Sequence, residues 1–264
     1  MTESGPEAFL PLAERLADVS ADIVRRYFRA DPSTLETEAK ADESPVTVAD
    51  RSAESAMRAL IEEAHPEHGI LGEEFDFVRT DAEYAWVLDP IDGTKAFVTG
   101  MPVFGTLIAL MRNGRPVLGI INQPVTRERW IGVAGRPSTL NGRPISTSKT
   151  ARLADAAHYA THPNMFSEGD DWPKVQSLIA QVKSSRYGGD CYAYGLLAAG
   201  FIDLVTEAQL KIYDFMALIP VIEGAGGMIT DWNGRPLTRE SDGHVLAAAN
   251  AACHAAALAH LRDS

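Results

Sequence analysis

An α+β fold with two unlike halves is what the 264-residue sequence predicts, and three observations predict it. From residue 70 to residue 133, apolar β-like runs follow one another through tight turns, the pattern of an antiparallel meander. From residue 158 onward, helical and strand patterns alternate, which implies an α/β layer. Between them, residues 135–150 are rich in Gly, Pro, Ser and Thr and have no apolar periodicity. The boundary is therefore placed there, giving domains 1–145 and 146–264.

The elements follow in order. Residues 7–29 carry Phe9, Leu12, Leu16, Ile23, Tyr27 and Phe28 at helical spacing, so an amphipathic helix is predicted, ended by Asp31-Pro32. Residues 31–45 are polar and read as an exposed loop or flap. Ser44-Pro45 opens a second helix with Ala49, Ala53, Met57, Leu60 and Ile61 inward, stopped at His65-Pro66. His65 and His68 read as loop histidines without a ligand role. Ile70-Leu71 and Trp86-Val87-Leu88 are short buried strands. The apolar text from Phe97 to Leu110 reads as β, the Asn113-Gly114 turn makes a hairpin, and strands return over 117–122 and 129–133. In the second half the pattern predicts strands at 158–160, 201–206 and 228–230. Helices are expected at 172–183, 191–199 and 214–225, a turn at 185–190, and a terminal strand and helix within 247–257.

Composition narrows the function. Net charge is −12 and the pI is about 5.0, which argues against a nucleic-acid or anionic-membrane surface. It leaves room for a phosphate ligand, because bound divalent cations invert the local sign. Two cysteines, Cys191 and Cys253, in unrelated contexts make neither a disulfide framework nor a zinc cluster. Residues 1–6 show no basic or apolar leader, and no run approaches the ~20 apolar residues of a membrane span. A reducing cytoplasmic location is expected.

The chemistry centres on Trp86-Val87-Leu88-Asp89-Pro90-Ile91-Asp92-Gly93-Thr94. A buried strand ends by projecting Asp89 and Asp92 from a turn stiffened by Pro90, a geometry suited to hard cations. Gly93 lets backbone approach a ligand, and the next amides can face an anion. Glu73 ends another apolar run, and Asp214 starts a predicted helix; helix-starting Asp is also a common cap. Four carboxylates at element ends suit Mg²⁺ or Mn²⁺ rather than zinc. If they converge, their mutual repulsion calls for a cation, and two cations would form the clamp used for attack at phosphorus.

Three motifs carry a family likeness: Gly72-Glu73-Glu74, the 86–94 stretch, and Tyr213-Asp214 with Glu223-Gly224-Ala225-Gly226-Gly227. In this order and spacing the chain resembles the inositol monophosphatase family of Mg²⁺-dependent, lithium-sensitive phosphatases. The resemblance implies a layered α-β-α-β-α sandwich of the inositol monophosphatase and fructose-bisphosphatase type. It makes Glu73, Asp89 and the Ile91 carbonyl ligands of a first metal, and Asp89, Asp92 and Asp214 ligands of a second. A third, weaker metal would lean on Asp50. The Gly93 and Thr94 amides would bind phosphate, and Glu73 with the Thr94 hydroxyl would orient and deprotonate the metal-activated water. The first domain would hold most metal ligands, and the second would complete the active site and substrate pocket. Two or three Mg²⁺ per site, replaceable by Mn²⁺, inhibition by Li⁺ and a homodimer are further implications.

Within the family, Tyr187-Gly188-Gly189-Asp190-Cys191-Tyr192-Ala193-Tyr194-Gly195 and the run 201–205 are most similar to members that hydrolyse histidinol phosphate. By that likeness Arg186 contacts substrate, and Glu207 reaches the leaving alcohol. Asp190 and Glu207 would offer acidic partners to the ammonium and imidazole of histidinol. Asp190 could equally cap the helix that follows it, and Arg186 could be a surface residue or a neutraliser of the acidic site. An inositol-1-phosphate or broad sugar-phosphate phosphatase is the alternative. A scaffolding descendant that had lost activity would lack one of Glu73, Asp89, Asp92, Thr94 or Asp214, and all five are present.

Overall fold

Alternation along β4 (Tyr84–Asp92) sets the layering: Trp86 and Leu88 face one core, and Val87 faces another. The structure, a computed structural model, describes residues 5–30, 37–39 and 45–262. Helices α1 (Leu10–Tyr27) and α2 (Val48–Ala64) form the first layer. Their stripe of Leu12, Leu16, Met57 and Ile61 packs on Ile70, Trp86, Leu88, Ile108 and Ile120 of a seven-stranded sheet. That sheet is ordered β3 (Gly69–Gly72), β4, β5 (Gly105–Arg112), β6 (Arg115–Gln123), β7 (Glu128–Val133), β8 (Thr139–Leu140) and β9 (Arg143–Pro144). All its pairs are antiparallel except β3 with β4.

The second sheet runs β11 (Ser184–Tyr187), β10 (Ala157–Ala160), β12 (Leu204–Glu207), β14 (Val245–Ala248), β13 (Met228–Thr230). Between the sheets lie α5 (Asp190–Ala198) and α7 (Leu218–Gly224). Tyr194, Leu197, Val221 and Ile222 join Val87, Leu107 and Trp130 on one side and Val205 and Ala247 on the other in the largest core cluster. On the outer face α4 (Asp171–Ile179) and α8 (Ala251–Leu261) cover Leu204, Leu246 and Ala248. The order helix, sheet, helix, sheet, helix is the expected layered sandwich.

Several local expectations differ. Of 31–45, residues 31–36 and 40–44 lie outside the described residues, while β1 (Thr37–Ala39) pairs antiparallel with β2 (Pro45–Thr47). The β-like text after Thr94 begins with a short helix, α3 (Thr94–Val98). Phe97 and Phe104 pack there with Phe28 in a separate small core, and β5 starts only at Gly105. The expected turn at 185–190 is instead largely the edge strand β11, paired in parallel with β10. Its polar residues have no period of their own, so tertiary pairing decides. The predicted helix 214–225 is two, α6 (Ile212–Phe215) and α7, because Pro220 cannot donate back to the carbonyl of Met216.

One ionic clamp ties the loop before β14 to the start of α4. His244 Nε2 meets Asp171 Oδ2 at 2.8 Å, its Nδ1 meets Asp242 Oδ1 at 3.1 Å, and its ring lies 4.5 Å from that of Trp232. Burial pulls the imidazole pKa down, but hydrogen bonds and charge from Asp171 and Asp242 outweigh it, so the pKa is raised above 6.5. A raised folded-state value means that the clamp's contribution is whole below about 6.5 and is lost as pH rises through the folded value. Melting curves should therefore show His244→Ala destabilising the protein more at about pH 6 than at about pH 8.5. Equal losses at both would refute a charged clamp.

Candidate active site

The site forms where the ends of β4 and β12 meet the starts of α5 and α6. Pairing of β4 with β5 shifts register between Asp89 and Asp92, so both side chains can leave the ladder toward one place. The Thr106 hydroxyl pins the bulge by donating to the Pro90 carbonyl at 2.8 Å. Asp89, 1% exposed, accepts the Ile91 N–H on Oδ1 at 3.1 Å, and the Thr94 hydroxyl donates to the Ile91 carbonyl at 3.1 Å. Gly93, at φ +83°, turns the chain from strand into α3.

Carboxylate oxygens of Asp89, Asp92 and Asp214 lie within 4.8 Å of one another, and those of Asp50, Glu73 and Glu74 form a second such group. The two groups share one field. Burial, then Glu73, Asp92, Asp214 and Asp50, push the Asp89 carboxyl well above the usual range. Burial and Asp214 raise Asp92 to about 7. Burial also raises Asp214 to about 7, against hydrogen bonds that include one with Asp89. Two carboxyl groups in hydrogen-bonding contact need a proton or a cation between them, and an all-oxygen set suits Mg²⁺. The residues therefore fit a hard divalent ion.

Asp214 also serves the backbone. It is the third residue of α6 rather than its cap, and its Oδ2 accepts the Lys211 N–H at 2.6 Å. Asp92 Oδ2 accepts the Cys191 N–H at 2.8 Å, which ties the end of β4 to α5. Asp190 does not act as the cap of α5. The cap position is Gly189, and Asp190, at φ +42°, lies against Gly93, where an added Cβ would come 2.9 Å from its Cγ. Its carboxyl joins Glu207, Tyr194 and Asp214 around a cleft of about 110 Å³. A wider groove of about 680 Å³ shares Asp190, Thr161, Met165 and Leu210 with it and continues to Met101 and Tyr187.

Glu207 is buried, with Oε1 accepting the Thr161 N–H at 3.1 Å and the Thr161 hydroxyl, and Oε2 accepting the Tyr194 hydroxyl at 3.0 Å. Burial, with Asp92 and Asp190 adding, raises it to about 8. Burial and Asp92 raise Asp190 to about 7. Arg186 stays exposed on β11, opposite Tyr159, and does not line the cleft. Thr161, Tyr194, Glu54 and Arg58 were not foreseen. Tyr194 follows Asp190 by one helical turn and Glu54 follows Asp50 by one, a signal available in the sequence, whereas only the fold brings Thr161 to Glu207.

His65, Glu67 and His68 also bring ligand atoms within 4.8 Å. His68 Nδ1 accepts the Trp86 indole N–H at 3.1 Å, and an indole nitrogen only donates, so the proton of a neutral His68 sits on Nε2. Metal on Nε2 would require a proton on Nδ1, facing that indole N–H. The Trp86 hydrogen bond therefore works against a metal on His68 Nε2.

Five layers with a carboxylate centre at strand ends define the class: a layered α/β protein with an acidic cluster that could hold a hard cation. A model of the inositol monophosphatase family matches residues 6–264. Over 250 residues the chain is 49% identical to the bifunctional phosphatase IMPL2, chloroplastic, of Arabidopsis thaliana, covering 94% of this chain and 71% of that protein. It is 36% identical over 230 residues to a histidinol-phosphatase of Mycobacterium tuberculosis, covering 85% and 88%. A solved inositol monophosphatase from Zymomonas mobilis superposes with a TM-score of 0.89 at 49% identity, covering 98% of this chain and 99% of that one. The chain belongs to the inositol monophosphatase family, whose members are metal-dependent phosphatases of small phosphorylated substrates. No helix among the described residues is long and apolar enough to cross a membrane.

The electrostatics have a measurable consequence. The metal-free fold keeps protons on Asp92 and Asp214 to about 7, whereas the unfolded chain releases them near 3.8. The native state binds more protons across that window, so its stability falls as pH rises. Chelator-treated protein should melt at a lower temperature at about pH 8 than at about pH 5.5. Added Mg²⁺ should raise the melting temperature more at the higher pH, and a larger Mg²⁺ effect at the lower pH would contradict this.

Proposed function

We propose that the chain is a Mg²⁺-dependent phosphomonoesterase that hydrolyses L-histidinol phosphate to L-histidinol and phosphate, a step of histidine biosynthesis. The observation that carries the substrate is the pair Asp190 and Glu207 beside the carboxylate centre. Both are held above their ordinary pKa by burial and by neighbouring acids. An ammonium or imidazolium on the leaving group relieves that cost, and a neutral polyol does not. The histidinol-phosphatase relative supports the same reading.

In this reading Glu73, Asp89 and the Ile91 carbonyl hold one Mg²⁺, Asp89, Asp92 and Asp214 hold a second, and Asp50 supports a third. The proximity of these carboxylates supports the set. Bound there, Mg²⁺ or Mn²⁺ would supply Lewis acidity and neutralise phosphate charge, and Li⁺ would inhibit. Glu73 takes the proton of the attacking water, Thr94 orients that water through its hydroxyl, and the Gly93 and Thr94 amides receive the phosphate. As the bond from water oxygen to phosphorus forms, the ester P–O bond breaks, the leaving oxygen takes a proton from solvent water, and histidinol leaves along the Asp190 and Glu207 side. The role of Arg186 rests on the family likeness alone. The same reading takes the protein as a cytoplasmic homodimer, with residues 1–145 and 146–264 as its two domains.

The Zymomonas neighbour, named as an inositol monophosphatase, favours a second reading, an inositol-1-phosphate or broad sugar-phosphate phosphatase. Phosphate release from histidinol phosphate, inositol-1-phosphate and an adenosine bisphosphate, with and without Mg²⁺, separates the two. Histidinol phosphate is expected to have the highest kcat/KM. Asp190→Asn with Glu207→Gln should lower turnover of histidinol phosphate about tenfold more than that of glycerol phosphate, the scale of one lost charge-assisted hydrogen bond. Equal losses on both substrates would sink the histidinol assignment.

A further inference from the structure

Glu73 stands just past the end of β3, where its N–H donates to the Leu88 carbonyl at 3.2 Å. Further holding contacts come from α2. Glu54, one turn after Asp50, is fully buried. Its Oε2 accepts the Glu74 backbone N–H at 2.8 Å, and its Oε1 accepts from Arg58 Nε at 2.7 Å. Arg58 Nη2 donates to the Phe75 carbonyl at 3.1 Å, and the guanidinium lies 5.7 Å from the centre of the Phe75 ring. On the other side of Glu73, the Glu54 carboxylate fills the space over Gly72, where an added Cβ would stand 1.9 Å from Oε1. One ion pair thus grips the chain at residues 72, 74 and 75, on both sides of Glu73.

A buried ion pair is a poor stabiliser, because the desolvation of its charges offsets their attraction. The convergence of its contacts on the three residues flanking one acid accounts for the pair better. Helix α2 presents Asp50 directly to the group containing Glu73 and presents Glu54 to the backbone that carries Glu73. We propose that Glu54, braced by Arg58, is a positioning residue that sets the direction of Glu73 toward the metal centre. It also explains the glycine of Gly72-Glu73-Glu74 as the space the Glu54 carboxylate requires. This inference rests on the metal assignment made above.

The test uses metal-stripped full-length protein and Mn²⁺ binding followed by the EPR signal of the free ion. Circular dichroism and melting curves run alongside. Glu54→Gln is expected to fold and to bind Mn²⁺ about 10–100-fold more weakly, the usual cost of losing an outer partner of a metal ligand. Its apparent KM for Mg²⁺ should rise while kcat recovers at saturating Mg²⁺. Should that variant fail to fold, Arg58→Lys takes its place; it keeps the charge, gives up the forked grip on Phe75, and should bind Mn²⁺ several-fold more weakly. A folded variant with a lower melting temperature and wild-type Mn²⁺ affinity overturns the proposal and leaves a structural role only. Asp89→Asn separates the two layers of the argument. If it loses Mn²⁺ while the Glu54 variant keeps it, the positioning role alone falls; if it binds like wild type, the metal assignment falls and takes the positioning role with it.

Discussion

Repulsion among carboxylates is the constraint on which this site depends. Burial, and then repulsion from Glu73, Asp92, Asp214 and Asp50, push Asp89 well above its ordinary range. Left to relax, such a group would turn outward to water. The fold denies that escape with backbone devices: the bulge between Asp89 and Asp92, the Ile91 N–H on Asp89, the Cys191 N–H on Asp92 and the Lys211 N–H on Asp214. Each of the three N–H groups supplies one hydrogen bond to a carboxylate and leaves other lone pairs for a cation. Negative potential stored this way is what gives a hard cation its affinity, and the rigidity of the frame limits how the acids can rearrange when one binds.

The same devices explain why neither half of the chain could hold the centre alone. Asp89 and Asp92 come from the first sheet, while Asp214, Glu207 and Asp190 come from the second half. The joint is made by main chain, through the Cys191 N–H to Asp92 and the close seat of Asp190 on Gly93. Apolar packing carries the joint, since the largest core cluster runs from Leu71 and Val87 through α5 and α7 to Val205 and Ala247. A shift of α5 along that core would pull the donor from Asp92 and move Asp190 off Gly93 together, so substrate side and metal side are mechanically coupled.

The parts of this arrangement legible in the sequence were those with local grammar. Strand-ending apolar runs, Asp-Pro-Ile-Asp-Gly and the helical stripes announced β4, the bulge region, α1 and α2. Elements decided by tertiary pairing were not legible: Ser184–Tyr187 reads as a turn until β10 is beside it, and Phe97 reads as strand until Phe28 and Phe104 enclose it. The carboxylates of the centre could be named because they sit at element ends. Their supports were less legible: Glu54 lies one helical turn from Asp50, but its reach to Glu74 across 20 residues, like that of Thr161 to Glu207 across 46, has no periodic signature.

In the proposed reading, specificity and catalysis in this cleft answer to the same charge. Glu207 is buried and Asp190 partly buried beside acids that raise them further, so both hold their protons to higher pH than ordinary carboxyls, to about 8 and about 7. A cation at the centre lowers the potential they feel from Asp92, and a cationic alcohol entering the groove supplies the counter-charge on the other side. Glu207 is poised for that exchange because Thr161 and Tyr194 keep it oriented by hydrogen bonds that suit the ionised form. A neutral alcohol would leave two acids uncompensated, or would have to bind them protonated through hydrogen bonds weaker by about half. Discrimination of this kind needs no steric gate. In the proposed reading it follows from placing acids on the leaving-group side of a centre whose own acids call for a divalent cation.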